Sequence, residues 1–272
     1  MLRKPSLNTG SIEASSLEEK IKIAHEAGYP AVGIFERDLH DYLDGGRDIH
    51  KIATLLEELS LSVSEVMAFR GWVTPEPVTR EELVERNAHV IEASEALGCK
   101  VITAPASGAD IEAPRYVENF RVACEAVIER GIILAFEFLA KLRVARDLTT
   151  GLKIVEEVGL PNAQLLIDTA HFFAGGSSME DLMRTSVERI ALIHFEDIAA
   201  GSQDTTGEKD RMIPGEGAAP LRQFVQILHE KGYDGYYSME LIGWRGDPLE
   251  VARRGYQGTC RFLWFPVVET TG

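Results

Sequence analysis

The sequence predicts an α/β fold, and within that class a single (β/α)8 TIM barrel that spans residues 1–272. Short apolar runs alternate with amphipathic helical stretches eight times, with no break in composition between them. Strands that alternate with helices predict a parallel sheet with right-handed crossovers. The length of 272 residues is close to the usual size of a closed barrel, about 250 residues.

The first half of the chain contains four of these units. We predict strands at 5–9, 31–35, 61–69 and 101–104, and helices at 16–27, 48–59, 79–97 and 115–130. Ser16 is placed to cap the first helix, because its hydroxyl can accept a hydrogen bond from a free backbone N–H. Gly28, Gly98 and Gly131 follow predicted helices, where glycine commonly ends a helix.

The second half repeats the pattern. Its four strands end at Glu137, Asp168, His194 and Glu240. We predict helices at 149–158, 179–187, 221–231 and 248–262, and a long polar loop at 199–217 after the seventh strand. The alternative fold, a doubly wound open sheet, usually has a glycine-rich phosphate turn after its first strand. The corresponding segment here, Asn8-Thr9-Gly10-Ser11, lacks that motif, so the barrel is favoured.

Composition narrows the classes of partner. The net charge of −15 arises from 28 basic and 43 acidic residues, which argues against nucleic acid and anionic membranes as partners. No apolar stretch approaches the roughly 20 residues of a membrane span, and the segment from Met1 to Pro5 lacks a signal-peptide apolar region. The three cysteines are odd in number and form no CxxC pair. We therefore expect free thiols and a cytoplasmic protein.

Four chemically reactive side chains close the last four predicted strands. Glu137, Asp168, His194 and Glu240 each follow an apolar run, and an unpaired charge at the end of a buried strand is too costly to retain. Active sites of these barrels lie at the carboxyl ends of the strands, so the four side chains should converge. Alone, each could instead form a surface salt bridge or cap a helix.

Three carboxylates and one imidazole predict a site for one divalent metal. This mostly hard ligand set suits Mn²⁺, Mg²⁺ or Co²⁺ better than a structural zinc, although Zn²⁺ is also compatible. The ligands leave open positions for a bidentate substrate such as an α-hydroxyketone. The metal would polarise the carbonyl and stabilise an enediolate, while a flanking glutamate removes a proton from carbon.

Several further residues are predicted on the rim of the site. His171 lies three residues after Asp168, and Arg211 lies in the long loop, so both are candidates for contact with substrate oxygens. Trp72, Trp244 and Glu36 follow strands and are also substrate-binding candidates. Either tryptophan could equally pack between loops, and Arg211 could be a solvated loop charge.

The order of these motifs resembles the xylose isomerase-like TIM-barrel superfamily. The pattern consists of Glu137, Asp168-x-x-His171, His194-Phe195-x-Asp197, Arg211 with Pro214-Gly215-Glu216-Gly217, and Glu240. The resemblance covers nearly the whole chain. It implies that Glu137 and Glu240 exchange protons with substrate carbon, that Asp168 and His194 are pure metal ligands, and that His171 and Arg211 hold substrate oxygens.

The superfamily suggests several activities. The leading hypothesis is a metal-dependent isomerase or epimerase of a ketose or related polyol ketone. The alternative is a dehydratase that acts on a cyclic ketone such as inosose or 3-dehydroshikimate. A third reading is the barrel subunit of a two-component glycoside-cleaving enzyme, and the sequence leaves open a homo-oligomer. An endonuclease IV-like hydrolase is disfavoured, because strands three and four end in Phe69-Arg70-Gly71 and Ala104-Pro105-Ala106, without metal ligands.

Overall fold

Eight parallel strands close into a barrel in the computed structural model, which describes residues 4–201 and 210–264. The barrel strands are β1 Lys4–Asn8, β2 Ala31–Ile34, β3 Ser62–Val66, β4 Val101–Pro105, β5 Ile133–Glu137, β6 Ala163–Asp168, β7 Ile190–His194 and β10 Tyr236–Met239. Each strand pairs with its neighbour along the chain, and β1 closes the barrel by pairing with both β2 and β10. The predicted (β/α)8 TIM barrel is confirmed.

Helices follow the strands. They are α1 Leu17–Ala27, α2 Glu36–Asp44, α3 Ile49–Glu58, α4 Arg80–Arg86, α5 Ala88–Ala96, α6 Ala113–Val127, α7 Leu148–Val158, α8 Thr169–Gly175, α9 Met179–Arg184, α10 Leu221–Glu230 and α11 Pro248–Leu263. The predicted caps of α1 are present: the Ser16 side chain accepts from the Glu19 N–H, and Gly28 adopts a left-handed conformation with φ of 99°.

The strand register brings the polar strand ends to one edge of the barrel. Asp168 pairs directly with His194 across β6 and β7, and Pro105 pairs with Glu137 across β4 and β5. Ala135, Leu166 and Leu192 form a small apolar cluster that is separate from the main core. Because side chains alternate between the two faces of a strand, this cluster lies on the inner face beneath residues 137, 168 and 194.

The structure contains two short helices where the sequence predicted loops. Helix α2 is separated from β2 by Phe35 alone, and α8 begins directly after β6. Asp168 caps α8, since its side chain accepts a hydrogen bond of 2.7 Å from the His171 N–H. Each helix spans at most nine residues, too few to display a clear helical period in the sequence.

The long helix predicted at 79–97 is instead two helices, α4 and α5, which meet at Asn87. The Asn87 side chain accepts a hydrogen bond from the Arg70 N–H at 2.7 Å and donates to the carbonyls of Arg70 and Leu83. This buried amide therefore ties the loop after β3 to the helix junction. The competition between side-chain and backbone hydrogen bonds explains why the helix breaks here.

The segment predicted as a long loop contributes one strand to a small antiparallel ribbon. Strand β8 (Asp197–Ile198) pairs with β9 (Arg211–Met212), while residues 202–209 of the predicted loop lie outside the described residues. Helices in the described part of the chain are all too short or too polar to cross a membrane. All three cysteines have free thiols, as predicted.

Candidate metal centre

Glu137, Asp168, His194 and Glu240 converge at the carboxyl end of the barrel. Each offers one ligand atom, and these four atoms lie within 4.8 Å of one another. All four residues are buried, with at most 5% of their surface exposed. Glu137, Asp168 and His194 are the last residues of β5, β6 and β7, and Glu240 immediately follows β10.

Arg211 enters this cluster from β9. Its Nη1 atom lies 2.7 Å from Asp168 Oδ2, 3.0 Å from Glu196 Oε1 and 3.4 Å from Glu240 Oε2. Only 8% of the residue is exposed, so these pairs are shielded from solvent screening. The planar guanidinium thus links three carboxyl groups that would otherwise repel one another.

His171 lies on α8 beside the same arginine. Its Nε2 atom is 3.4 Å from Arg211 Nη2. Burial lowers the pKa of His171, and Arg211 lowers it further, although Asp168 acts in the opposite direction. The ring is therefore held neutral beside the guanidinium and can donate or accept one hydrogen bond to a bound molecule.

The two glutamates at the centre differ in protonation. Burial and the neighbouring Glu240 carboxylate raise the pKa of Glu137 to about 8. Burial opposes the ionisation of Glu240 as well, but His194 and Arg211 outweigh it and lower the pKa of Glu240. Without a cation, one glutamate is protonated near neutral pH while the other is charged, which is a common arrangement of a general acid and a general base.

Asp168 and Glu196 respond to Arg211 in opposite directions. Burial opposes the ionisation of Asp168, but the Arg211 guanidinium holds the pKa of this carboxyl group well below the usual range. Burial and the Asp168 charge raise the pKa of Glu196 well above its usual value, despite the contact with Arg211. Since two carboxylates cannot share one site at full charge, Asp168 retains the negative charge.

Glu196 was not among the residues predicted from the sequence. Its Oε1 atom accepts a 2.9 Å hydrogen bond from the Ala170 N–H, and its backbone carbonyl accepts from the Thr169 hydroxyl at 2.7 Å. These bonds join the segment after β7 to the start of α8. The available sequence signal was its position two residues after His194, because side chains two residues apart in an extended chain point to the same side.

Asp197, which is part of the predicted motif, organises the segment that follows β9. Its carboxylate accepts hydrogen bonds from the backbone N–H groups of Gly215, Ala219 and Ile198 at 2.9–3.0 Å. A Cβ atom on Gly217 would lie 2.4 Å from Asp197 Oδ1, so only glycine fits at this close approach. Asp197 therefore holds the loop rather than the metal.

The predicted rim residues occupy different environments. Trp72 is fully buried and packs against Tyr116, Phe120 and Phe136, which is the packing alternative that the sequence left open. Trp244 follows β10, is half-buried and packs against the main core. The position of neither tryptophan shows by itself that the side chain contacts a substrate.

Glu36 lies at the amino end of α2 and forms an ion pair with Arg70, which follows β3. The Arg70 Nη2 atom is 2.6 Å from Glu36 Oε2, and the Nη1 atom donates to the Ser107 hydroxyl at 2.7 Å. Both charged side chains are partly exposed. The pair therefore joins the segments after β2, β3 and β4 at the carboxyl end of the barrel.

The donor set fits a divalent cation. Both ring nitrogens of His194 are buried and have no hydrogen-bond partner among the described residues. The Nδ1 atom lies 3.4 Å from Glu240 Oε2 and 3.9 Å from Glu137 Oε1. A cation held by Glu137, Asp168, His194 and Glu240 would provide a partner for His194 Nδ1 and neutralise part of the carboxylate charge.

Known proteins resemble this chain in sequence. An inosose isomerase of Halalkalibacterium halodurans is 36% identical over 113 residues, which cover 41% of this chain and 40% of that relative. The chain thus matches less than half the length of this relative. An inosose isomerase of Bacillus velezensis is 24% identical over 244 residues and 85% of each chain. A 3-dehydroshikimate dehydratase of Pseudomonas aeruginosa is 25% identical over 86% of this chain but 38% of its own.

Solved structures agree on the fold. The crystal structure of the IOLI protein with a bound zinc atom superimposes with a TM-score of 0.87 at 20% identity, covering 96% of this chain and 98% of that one. Residues 21–260 match the sequence profile described as xylose isomerase-like TIM barrel. The closed barrel, its buried acid and histidine cluster, and this match lead to one conclusion: the chain belongs to the xylose isomerase-like TIM barrel family.

Proposed function

We propose that this protein is a divalent-metal-dependent isomerase or epimerase of a small polyol ketone. The observation that carries the proposal is the convergence of Glu137, Asp168, His194 and Glu240 within 4.8 Å, with Arg211 and His171 beside them. Manganese, magnesium or cobalt suits the mainly oxygen donor set, and zinc is also compatible. The inosose isomerase relatives support this class of reaction.

The residues of the site would have three functions: metal binding, proton transfer and hydrogen bonding to substrate oxygens. Glu137, Asp168, His194 and Glu240 would hold the cation, which supplies Lewis-acid polarisation of the substrate carbonyl when bound. Glu137 and Glu240 contribute carboxyl groups from β5 and from the residue after β10, and each can remove or return a proton at substrate carbon. Arg211 and His171 donate hydrogen bonds to oxygens on which negative charge develops.

The charges of the site favour an uncharged substrate. Arg211 already contacts Asp168, Glu196 and Glu240, so a substrate carboxylate would compete with three carboxyl groups for one guanidinium. At the rim, Glu36 already pairs with Arg70, so a substrate carboxylate would also have to compete for this guanidinium. The net charge of −15 also repels anions over longer range. A cyclic or linear polyol ketone without a carboxylate therefore fits best, with Glu36 and Trp244 as proposed contacts at the rim.

The test is proton exchange in D₂O. The metal-loaded protein is incubated with an inosose and with ketohexoses, and the products are followed by nuclear magnetic resonance. We expect deuterium at carbon next to the ketone, in an isomerised product, and no exchange after chelation. Exchange that persists in excess chelator, or an absence of exchange with every neutral polyol ketone, would sink the proposal.

The second candidate is a metal-dependent dehydratase, which the match to a 3-dehydroshikimate dehydratase favours. Its reaction begins with the same proton abstraction but ends with the loss of a β-hydroxyl group. The product would be conjugated and would absorb in the ultraviolet. An increase in ultraviolet absorbance without an isomerised product would replace the isomerase proposal by the dehydratase.

A further inference from the structure

A fifth acidic residue lies inside the barrel, below the proposed metal ligands. Glu65 is in the middle of β3, and none of its surface is exposed. An apolar side chain is the usual occupant of such a position, because a buried charge is costly unless it is hydrogen-bonded. A carboxylate at this position therefore requires hydrogen-bond donors around it.

Three side chains donate hydrogen bonds to the Glu65 carboxylate. The Ser238 hydroxyl donates to Oε1 at 2.9 Å, and the Asn8 amide donates to the same atom at 3.2 Å. The Ser64 hydroxyl donates to Oε2. These donors come from β10, β1 and β3 itself, so three strands of the barrel hold the carboxylate.

Two features explain how the Glu65 carboxylate is accommodated: the orientation of the Asn8 amide and the absence of a side chain at Gly33. Asn8 Oδ1 accepts from the Gly10 N–H at 2.9 Å, which leaves the amide N–H₂ group to face Glu65. On the neighbouring strand β2, Gly33 pairs with Glu65, and a Cβ atom at position 33 would lie 1.9 Å from Glu65 Oε1. The space for the carboxylate therefore exists only because residue 33 has no side chain.

The imidazole of His194 also lies close to Glu65 Oε1. Its Nε2 atom lies 3.7 Å from that oxygen, whereas Nδ1, on the other side of the ring, faces Glu240 and Glu137. A neutral imidazole carries one proton, and the nitrogen without the proton binds metal. If Nδ1 faces the cation, the proton must be on Nε2 and needs an acceptor.

We propose that Glu65 is a positioning residue that accepts the Nε2 proton of His194 and so directs the Nδ1 lone pair to the metal. This inference rests on the proposed metal centre. Metal-binding histidines commonly donate their second N–H to a carboxylate, and loss of that partner typically lowers metal affinity about 10–100-fold. Here the carboxylate is oriented by Ser238, Asn8 and Ser64 before any metal binds.

The first test is metal affinity, measured by calorimetric titration of Mn²⁺. Glu65→Leu removes the acceptor and should weaken binding about 10–100-fold. Glu65→Gln keeps an oxygen at the Oε1 position, and its amide N–H₂ can donate to Ser64, so it should bind within about threefold of the native protein. Equal affinity of the native and Leu variants, or an equal loss in the Gln and Leu variants, would overturn the proposal.

A matched control separates positioning from stability. Ser6 is buried in the same network, because its hydroxyl lies 2.7 Å from that of Ser64, but Ser238 and Asn8 rather than Ser6 contact Glu65 Oε1. Ser6→Ala should lower the free energy of unfolding by about 1 kcal/mol and leave Mn²⁺ affinity unchanged. A loss of affinity in Ser6→Ala that equals the loss in Glu65→Leu would assign the network a general structural role.

The second test reads the proton directly and does not depend on whether the Leu variant folds. In native protein loaded with diamagnetic Zn²⁺, ¹⁵N resonances of the His194 ring should show a proton on Nε2 and none on Nδ1. A proton on Nδ1 would overturn the proposal. Failure of the native protein to bind any divalent cation would overturn the proposed metal centre itself, an outcome distinct from either result with the variants.

Discussion

The chemistry of single residues is dominated by carboxyl groups held at short range. Asp168, Glu196 and Glu240 contact one arginine, Arg211, and Glu137 lies beside Asp168 and Glu240. A cluster of this kind is tolerated in a folded protein only because protons, the guanidinium and, as we propose, a cation compensate the charge. Two predictions follow from this balance.

The first prediction separates metal ligands from proton-transfer groups. Glu137→Gln and Glu240→Gln keep an oxygen for the cation but cannot accept a proton, so each should retain measurable metal and lose at least about 10²-fold in kcat. Asp168→Ala should lose metal and activity together. Metal content and turnover are measured on the same preparations.

The control for these variants is Glu180→Gln, which alters an exposed carboxylate paired with Arg184 on α9. Its metal content and turnover should match those of the native protein. Near-normal turnover in both central Gln variants would show that the base lies elsewhere, with His171 and Glu36 as the next candidates.

The second prediction concerns pH. Because burial and Glu240 raise the pKa of Glu137 to about 8, the metal-free protein carries a proton there that the cation must displace. Metal affinity should therefore increase as the pH rises from about 6 to about 9. The stability of the metal-free fold should change with pH in the opposite direction to metal affinity. Its free energy of unfolding should fall as the pH rises from the ordinary carboxyl pKa towards the raised pKa of Glu137.

Glu137→Gln serves as the matched control, because it removes this proton. Its metal affinity should depend less on pH than that of the native protein over the same range. An affinity that is independent of pH in the native protein would show that Glu137 is already ionised without metal.

At the scale of secondary-structure elements, side chains that hydrogen-bond to backbone groups determine where the loops of the site lie. Asp168 caps α8 and so places His171 beside Arg211. Asp197 holds the segment after β9. Asn87 separates α4 from α5 and fixes the backbone of Arg70, whose side chain pairs with Glu36.

The third prediction tests the Asn87 junction. Asn87→Ala would leave the Arg70 N–H without its acceptor and should lower the free energy of unfolding by about 2–3 kcal/mol. Denaturant unfolding measures this loss. The control is Glu85→Gln, an exposed position on α4, which should change stability by less than about 0.5 kcal/mol. Equal stability of the two variants would contradict the role assigned to Asn87.

At the scale of the whole molecule, closure of the barrel makes the site. The four proposed ligands are the last residues of β5, β6 and β7 and the residue that follows β10, and they meet because the eight parallel strands bring their carboxyl ends to one rim. Beneath Glu137, Asp168 and His194 lies the small apolar cluster of Ala135, Leu166 and Leu192, and the strands that carry the proposed ligands are buried. A ligand that binds only the closed barrel must stabilise the entire fold.

The fourth prediction follows from that linkage. At a free metal concentration about 100 times the Kd, binding should stabilise the folded state by about 2.7 kcal/mol, which corresponds to a Tm increase of about 5–10 °C. Scanning calorimetry with and without chelator measures it. Asp168→Ala should show no metal-dependent increase, and an equal increase in that variant would place the cation elsewhere.

Periodicity and residue type alone predicted the barrel and the four residues of the candidate metal centre. Eight apolar runs separated by amphipathic stretches predicted the barrel, since burial of a parallel sheet requires that pattern. Glu137, Asp168, His194 and Glu240 stand out in the sequence because a polar or charged side chain at the end of a buried strand is costly unless it is paired or binds a metal. Their convergence is confirmed by the structure, while their roles in binding and proton transfer stay predictions.

Tertiary structure decided what depends on contacts between distant segments. The break at Asn87, the burial of Trp72 and the pairing of Glu36 with Arg70 involve partners 17–64 residues apart, and no local pattern encodes such distances. Glu65 is a charged residue within a strand that has no other unusual feature in the sequence. Asn8, Ser238 and His194 come together around it only when the barrel closes. Local periodicity reports which face of an element is buried, but electrostatic pairing depends on what lies across the barrel.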